Sequence, residues 1–301
     1  MKEQDTILFL TVMNRNKDTL YKDNMNNNVT IFKNIYNWFI NTLVIIFPQV
    51  GLDNTPFFTS QENMEKINEI ISKFGTGISE CKFVKGNIQE LQAAIPPDIL
   101  KDMINTIEGA YLNAQKNNIK PNIQEAAIRV NREMYIIRKT SENDPLVKKI
   151  VLKHKNNDSE YSFSEESDGT QRLFDLIEIL MNKKSERVYL IDELDRCFHP
   201  ELTYEFITRF LNLKDNNSQL IVTTHESRLL NFDLLRRDEI WFANREKNGP
   251  TDLYSLEKYN ERFDKKIDKA YLEGRYGGVP LFETLFPVGD VDNERSKWKW
   301  S

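Results

Sequence analysis

Residues 188–200 read VYLIDELDRCFHP, a short apolar run that meets two adjacent acids, Asp192 and Glu193. A strand buried on both faces of a parallel sheet is apolar throughout, and its C-terminal end opens onto the crevice where ligands bind. Neighbouring residues there point to opposite sides, so two acids can take two jobs. One can hold Mg2+, directly or through water. The next can orient and deprotonate an attacking water in phosphoryl transfer. Alone, such a strand can equally end in a solvated acidic turn, because the pattern is common by chance.

Two further stretches bear on this one. LIVTTHE, residues 220–226, is again an apolar run ending in polar groups. Thr223, Thr224 and His225 are expected on the same sheet edge as the acids, where a histidine can donate to a phosphate oxygen or to the lytic water. A single strand-end histidine is more often structural. ESDGTQR, residues 166–172, opens a helix. Gly169 permits close backbone approach, and the Ser167 hydroxyl, the first-turn amides and the helix dipole together form an anion site. The plain alternative is a helix cap made by Ser167 or Asp168.

The elements that must position these residues follow from periodicity. Ile31–Val50 reads as one amphipathic helix ended by Pro48, with Phe32, Ile35, Tyr36, Phe39, Leu43, Ile46 and Phe47 on its buried face. Interrupting polar residues exclude a membrane span. A helix over 60–75 is capped by Ser60 and stopped by Gly75, and another starts at Pro96. ECKFVKG is a short strand, and 126–140 has strand character in its second half. Residues 148–166 predict a hairpin turning at Asn156-Asn157-Asp158. Beyond it the chain alternates: helix, strand VYLIDE, helix PELTYEFITRFLNL, strand SQLIVTTHE, two strands around Asn248-Gly249, and a last helix ending in GRYGG. Strand, helix, strand at this spacing gives a parallel sheet. The expected division is a mainly helical region over 1–145, an α/β lobe over 146–286 and a polar tail over 287–301.

Composition narrows the partners. The 301 residues are 40% hydrophobic and 29% charged, with a net charge of −5. That is a globular composition without a global basic field to draw in nucleic acid. Lys148, Lys149, Lys153, His154 and Lys155 could meet phosphates locally, although a solvated hairpin face is the simpler account. Cys81 and Cys197 are far apart and fit a reducing cytoplasm. Cys197 beside His199 falls short of the four ligands that structural zinc wants.

The order of motifs is more specific than any one of them. A Ser-x-Gly-x-Gln helix start, an apolar strand ending in Asp-Glu and a strand ending in His resemble the ATP-binding-cassette type of ATPase, in its soluble SMC-like and OLD-like branch. More narrowly, SDGTQRLFDL, VYLIDELDRCFHP, SQLIVTTHE, LLRRDEIWF and YLEGRYGGVP resemble the AAA-family ATPases of bacterial abortive-infection (AbiL-like) phage-defence systems. The resemblance implies an α/β fold, an ABC-ATPase-like P-loop NTPase lobe preceded by a helical insertion, with ATP and Mg2+ as cofactors. It assigns Asp192 to the metal, Glu193 to the catalytic base and His225 to the switch histidine. Ser167, Gly169, Thr170 and Gln171 match the nucleotide-binding signature acting in trans, with Asp168 and Thr170 departing from Ser-Gly-Gly-Gln. Leu194–Pro200 takes the place of a loop that crosses a dimer interface. ATP would then be sandwiched in a cytoplasmic homodimer that closes on binding and opens on hydrolysis, controlling an effector nuclease.

One family part is missing from the sequence, since no G-x-x-x-x-G-K-[ST] occurs in it. Without that loop no backbone cradle or lysine meets the β-phosphate, so the lobe is expected to be incomplete, its N-terminal, loop-bearing part removed, encoded separately or lost. Three functions remain open. The chain is part of an ATP-driven switch, or an ATPase relic that dimerises or holds a partner, or a metal-dependent nuclease using Asp192, Glu193 and His225. The last leaves the signature-like turn without a role.

Overall fold

A computed structural model describes residues 27–48, 58, 61–116, 125–138, 145–181, 186–245, 249–259 and 267–279. They fall into two compact units, Met1–Glu226 and Ser227–Ser301.

The first unit holds two sheets. Strands β1 (Leu43–Ile46), β7 (Val188–Ile191) and β8 (Gln219–Val222) form a three-stranded parallel sheet in the order β1-β7-β8. The central strand is VYLI, and Tyr189 and Ile191 are buried. Between β7 and β8 runs helix Pro200–Leu211, with proline in its first turn and His199 at its cap, where Nδ1 accepts from the Glu201 amide at 3.3 Å. This is the expected strand–helix–strand unit.

The second sheet is antiparallel and five-stranded. Strands β2 (Ile78–Lys85), β5 (Leu146–His154), β4 (Glu133–Arg138) and β3 (Glu125–Val130) lie side by side in that order, and β6 (Glu160–Ser162) also pairs with β5. One face packs under helices α2 (Gln61–Ile71) and α5 (Asp168–Met181) through Met64, Ile67, Ile71, Ile150, Leu152, Phe174 and Ile177. The other packs under α3 (Ile88–Ala94) and α4 (Pro97–Lys116) through Leu91, Leu100, Ile107, Tyr135 and Ile137. Each buried side chain of this size contributes roughly 1.5–3 kcal/mol. Helix α1 (Asn27–Asn37) precedes β1, and α6 is the Pro200 helix.

Two readings of the sequence change. Ile31–Val50 is not one amphipathic helix. Helix α1 passes through a π turn, Trp38–Thr42, into strand β1, which pairs in register with β7. Of the residues expected to be buried, Ile46 is, but Phe39 is 50% and Phe47 54% exposed. The branched run Leu43-Val44-Ile45-Ile46 favours a strand once a parallel edge is there to pair with, which local periodicity cannot register. Residues 125–138 form a complete hairpin rather than one strand, turning at Asn131 and Arg132, both with positive φ (50° and 64°). Among the described residues, four strands fall within 1–145, and the paired strands β4 and β5 lie on either side of position 145.

The second unit is a β9 (Trp241–Arg245) and β10 (Thr251–Ser255) antiparallel hairpin with helix α7 (Ile267–Leu272). Phe242 stacks on Tyr271 and Tyr276 at centroid distances of 5.6 and 5.4 Å in its core. Ser60, Asn248, the N-terminal apolar run and the 287–301 tail lie outside the described residues. No helix among the described residues is long and apolar enough to cross a membrane.

Candidate functional site

Strand β7 delivers its acids at the C-terminal edge of the parallel sheet. The Asp192 amide still donates to Ile46 on β1 (2.9 Å), while the Thr223 amide donates to Ile191 (3.0 Å), so the ladder runs to the start of the acid turn on both sides. The chain then bends sharply. Glu193 has φ +47° and Cys197 φ +65°, conformations that cost a side-chain-bearing residue about 1–2 kcal/mol.

The end of β8 holds this turn in place. The Glu193 amide donates to Thr223 Oγ1 (2.8 Å), and that hydroxyl donates to Asp192 Oδ1 (2.5 Å). The Leu194 amide donates to the Thr223 carbonyl (3.0 Å), and the His225 amide to Asp195 Oδ1 (3.2 Å). Leu194 is fully buried and anchors the turn. Asp192, Glu193 and His225 thus stand at the ends of neighbouring parallel strands, as their sequence spacing predicts. The Glu193 carboxylate faces Arg196 at 3.5 Å, with both side chains nearly half exposed. Among the described residues no three His, Cys, Asp or Glu side chains gather into a metal site. The two acids offer carboxylate oxygens to a cation that keeps most of its own water, as Mg2+ does.

The signature-like turn lies against the acid turn in the same chain. A Cβ built on Gly169 would stand 2.6 Å from the Cys197 carbonyl oxygen. The close approach that this glycine permits is therefore filled by the chain's own backbone. Ser167 caps α5 by accepting from the Thr170 amide at 3.1 Å, and its hydroxyl also meets that of Thr170 at 3.0 Å. Thr170 is buried, whereas Ser167 is exposed.

Gln171 is committed inside the molecule. Its amide nitrogen donates to the Phe163 (3.2 Å) and Glu166 (3.0 Å) carbonyls, and its oxygen accepts from Arg129 (2.8 Å) and Arg132 (3.3 Å). Two donors and two lone pairs exhaust a primary amide. Of the four signature-like residues, the exposed one is Ser167.

Both arginines come from the β3–β4 hairpin, and both also pair with acids of α5: Arg129 with Asp175 at 2.5 Å, and Arg132 with Asp168. Burial raises the Asp175 carboxyl despite the opposing pull of Arg129 and Arg172, and burial lowers the Arg172 guanidinium. Sequence reading singled out neither Arg129 nor Arg132. The one available signal is Asn131-Arg132 between two apolar runs, a hairpin-turn cue.

A parallel sheet whose adjacent strand ends present an acid pair and a histidine is compatible with a P-loop NTPase-like domain. Residues 83–231 match a family model described as "AAA domain, putative AbiEii toxin, Type IV TA system", which supports an AAA-type, nucleotide-binding ATPase family for this part of the chain. No curated protein and no solved structure matched in the corresponding comparisons.

Proposed function

We propose that this chain is the acid-bearing part of an ABC-type ATP switch, with ATP and Mg2+ bound at the C-terminal edge of β7 and β8. The observation that carries the reading is the convergence of Asp192, Glu193 and His225 on that edge, the two acids tied to Thr223 and the His225 amide to Asp195. Mg2+ supplies charge neutralisation at the phosphates when bound. Asp192 would hold it, Glu193 would orient the attacking water and accept its proton, and His225 would donate to the phosphate oxygen. Ser167, exposed at the start of α5, faces the nucleotide of a second copy in a closed homodimer. Opening and closing of that dimer controls an effector nuclease in cytoplasmic phage defence.

The chain contains no G-x-x-x-x-G-K-[ST], so the β-phosphate cradle comes from a separate segment. Purified chain is expected to release no phosphate from ATP above the Glu193→Gln background in a steady-state assay. Addition of a polypeptide bearing that loop should restore a rate that Glu193→Gln removes. Turnover by the chain alone, lost in Glu193→Gln, would overturn the divided arrangement.

A second reading has its own support. Gln171 is fully bonded within the chain and Gly169 is covered by Cys197. Both fit a relic that dimerises or holds a partner without hydrolysis. Failure of every loop-bearing polypeptide to restore turnover favours it.

A further inference from the structure

We infer that Thr223 is a positioning residue for the acid pair, its single hydroxyl fixing the carboxylate of Asp192 and the backbone of Glu193 together. The inference rests on the proposed metal role of Asp192. The direction of each bond follows from chemistry. The Glu193 N–H can only donate, so Thr223 Oγ1 must accept there (2.8 Å). The hydroxyl proton is then left for Asp192 Oδ1, which as a carboxylate only accepts (2.5 Å). One oxygen thereby sets the rotation of the first acid and stabilises the left-handed backbone of the second, at φ +47°.

A purely architectural tie would not need this hydroxyl. The Thr223 carbonyl already takes the Leu194 amide, and the His225 amide already reaches Asp195. Leu194 supplies the apolar anchor. The hydroxyl adds bonds at an exposed strand end, where they build no core, and one goes to the side chain assigned to the metal. Thr223 also lies two residues before His225 on the same strand end. A displacement of β8 therefore moves the histidine and re-aims Asp192 together.

The test uses the full chain in four forms: unchanged, Asp192→Asn, Thr223→Val and Thr223→Ser. Valine keeps the branched shape without the hydroxyl, and serine keeps the hydroxyl. Amide exchange is read by NMR, and trace Mn2+ alone is added to broaden amide signals near any carboxylate that coordinates it. Thr223→Val should speed exchange at the Glu193 amide about tenfold. It should also reduce Mn2+ broadening across residues 190–195 several-fold, and Thr223→Ser should restore both. Broadening that is lost in Asp192→Asn but kept in Thr223→Val overturns this inference and leaves the metal role standing. So does unchanged exchange at Glu193, or a loss that serine does not rescue. Broadening that Asp192→Asn does not alter, or that is absent throughout, overturns the metal role and this inference with it.

Discussion

Gly169 has no room for a side chain, because a methyl there would stand 2.6 Å from a backbone oxygen that cannot rotate away. Gly169→Ala should cost about 1–3 kcal/mol, read as a lower urea midpoint at unchanged slope. Gln171→Ala leaves two carbonyls and two guanidinium groups short of a partner. It should cost about 1–3 kcal/mol in the same measurement. These two residues also show where sequence reading stops. The types Ser, Gly and Gln at a helix start mark a polar turn correctly. They do not reveal that Gln171 spends its whole bonding capacity on Phe163, Glu166, Arg129 and Arg132, two of which lie on a hairpin some forty residues away. Asp192, Glu193 and His225 were legible because each sits at the end of an apolar run, where strand geometry alone dictates placement.

Elements differed in how fully their own residues determine them. Helix α5 and the Pro200 helix have caps and apolar faces within their sequence, and both form as periodicity predicts. Strand β1 does not, because its partner β7 lies about 145 residues further on. The difference can be measured. Ile46→Ala should cost about 2–4 kcal/mol, whereas Phe47→Ser, half exposed, should change stability by less than about 1 kcal/mol. A buried helix face would make both severe. Helix α5 carries a pH dependence as well. Burial pushes the Glu178 carboxyl up to about 7, with only partial relief from Arg187, and its Oε2 has no hydrogen-bond partner among the described residues. The folded value lies above the unfolded one, so the protonated native form is favoured. That contribution is fully present below about pH 4.5 and is lost as pH rises through 7. Glu178→Gln should therefore unfold at a higher denaturant concentration than the parent at pH 8, by about 1 kcal/mol after discounting for partial solvent contact, and match it at pH 4.

At the scale of the whole molecule, the order of strands and helices indicated an α/β protein and the order of motifs resembled an ATPase, and the parallel sheet and the family match over 83–231 agree with that. The division into regions was harder to read. Sequence style changes near 145, yet β5 pairs with β2 and β4, so the five-stranded sheet takes strands from both sides of that point. A fragment of residues 146–286 should therefore fail to fold, giving collapsed amide dispersion by NMR, while residues 1–226 keep a cooperative thermal transition. A folded 146–286 fragment would show that the sheet does not depend on β2 to β4. The contact between the two turns has a practical side. Cys81 is buried, and burial drives its thiol far above the usual range, whereas Cys197 is exposed in the acid turn. Native protein should accept one thiol-reactive dye, and accept it within four residues of Glu193. The molecule thus comes with a built-in attachment point from which movements of its acid turn can be watched without engineering a single residue.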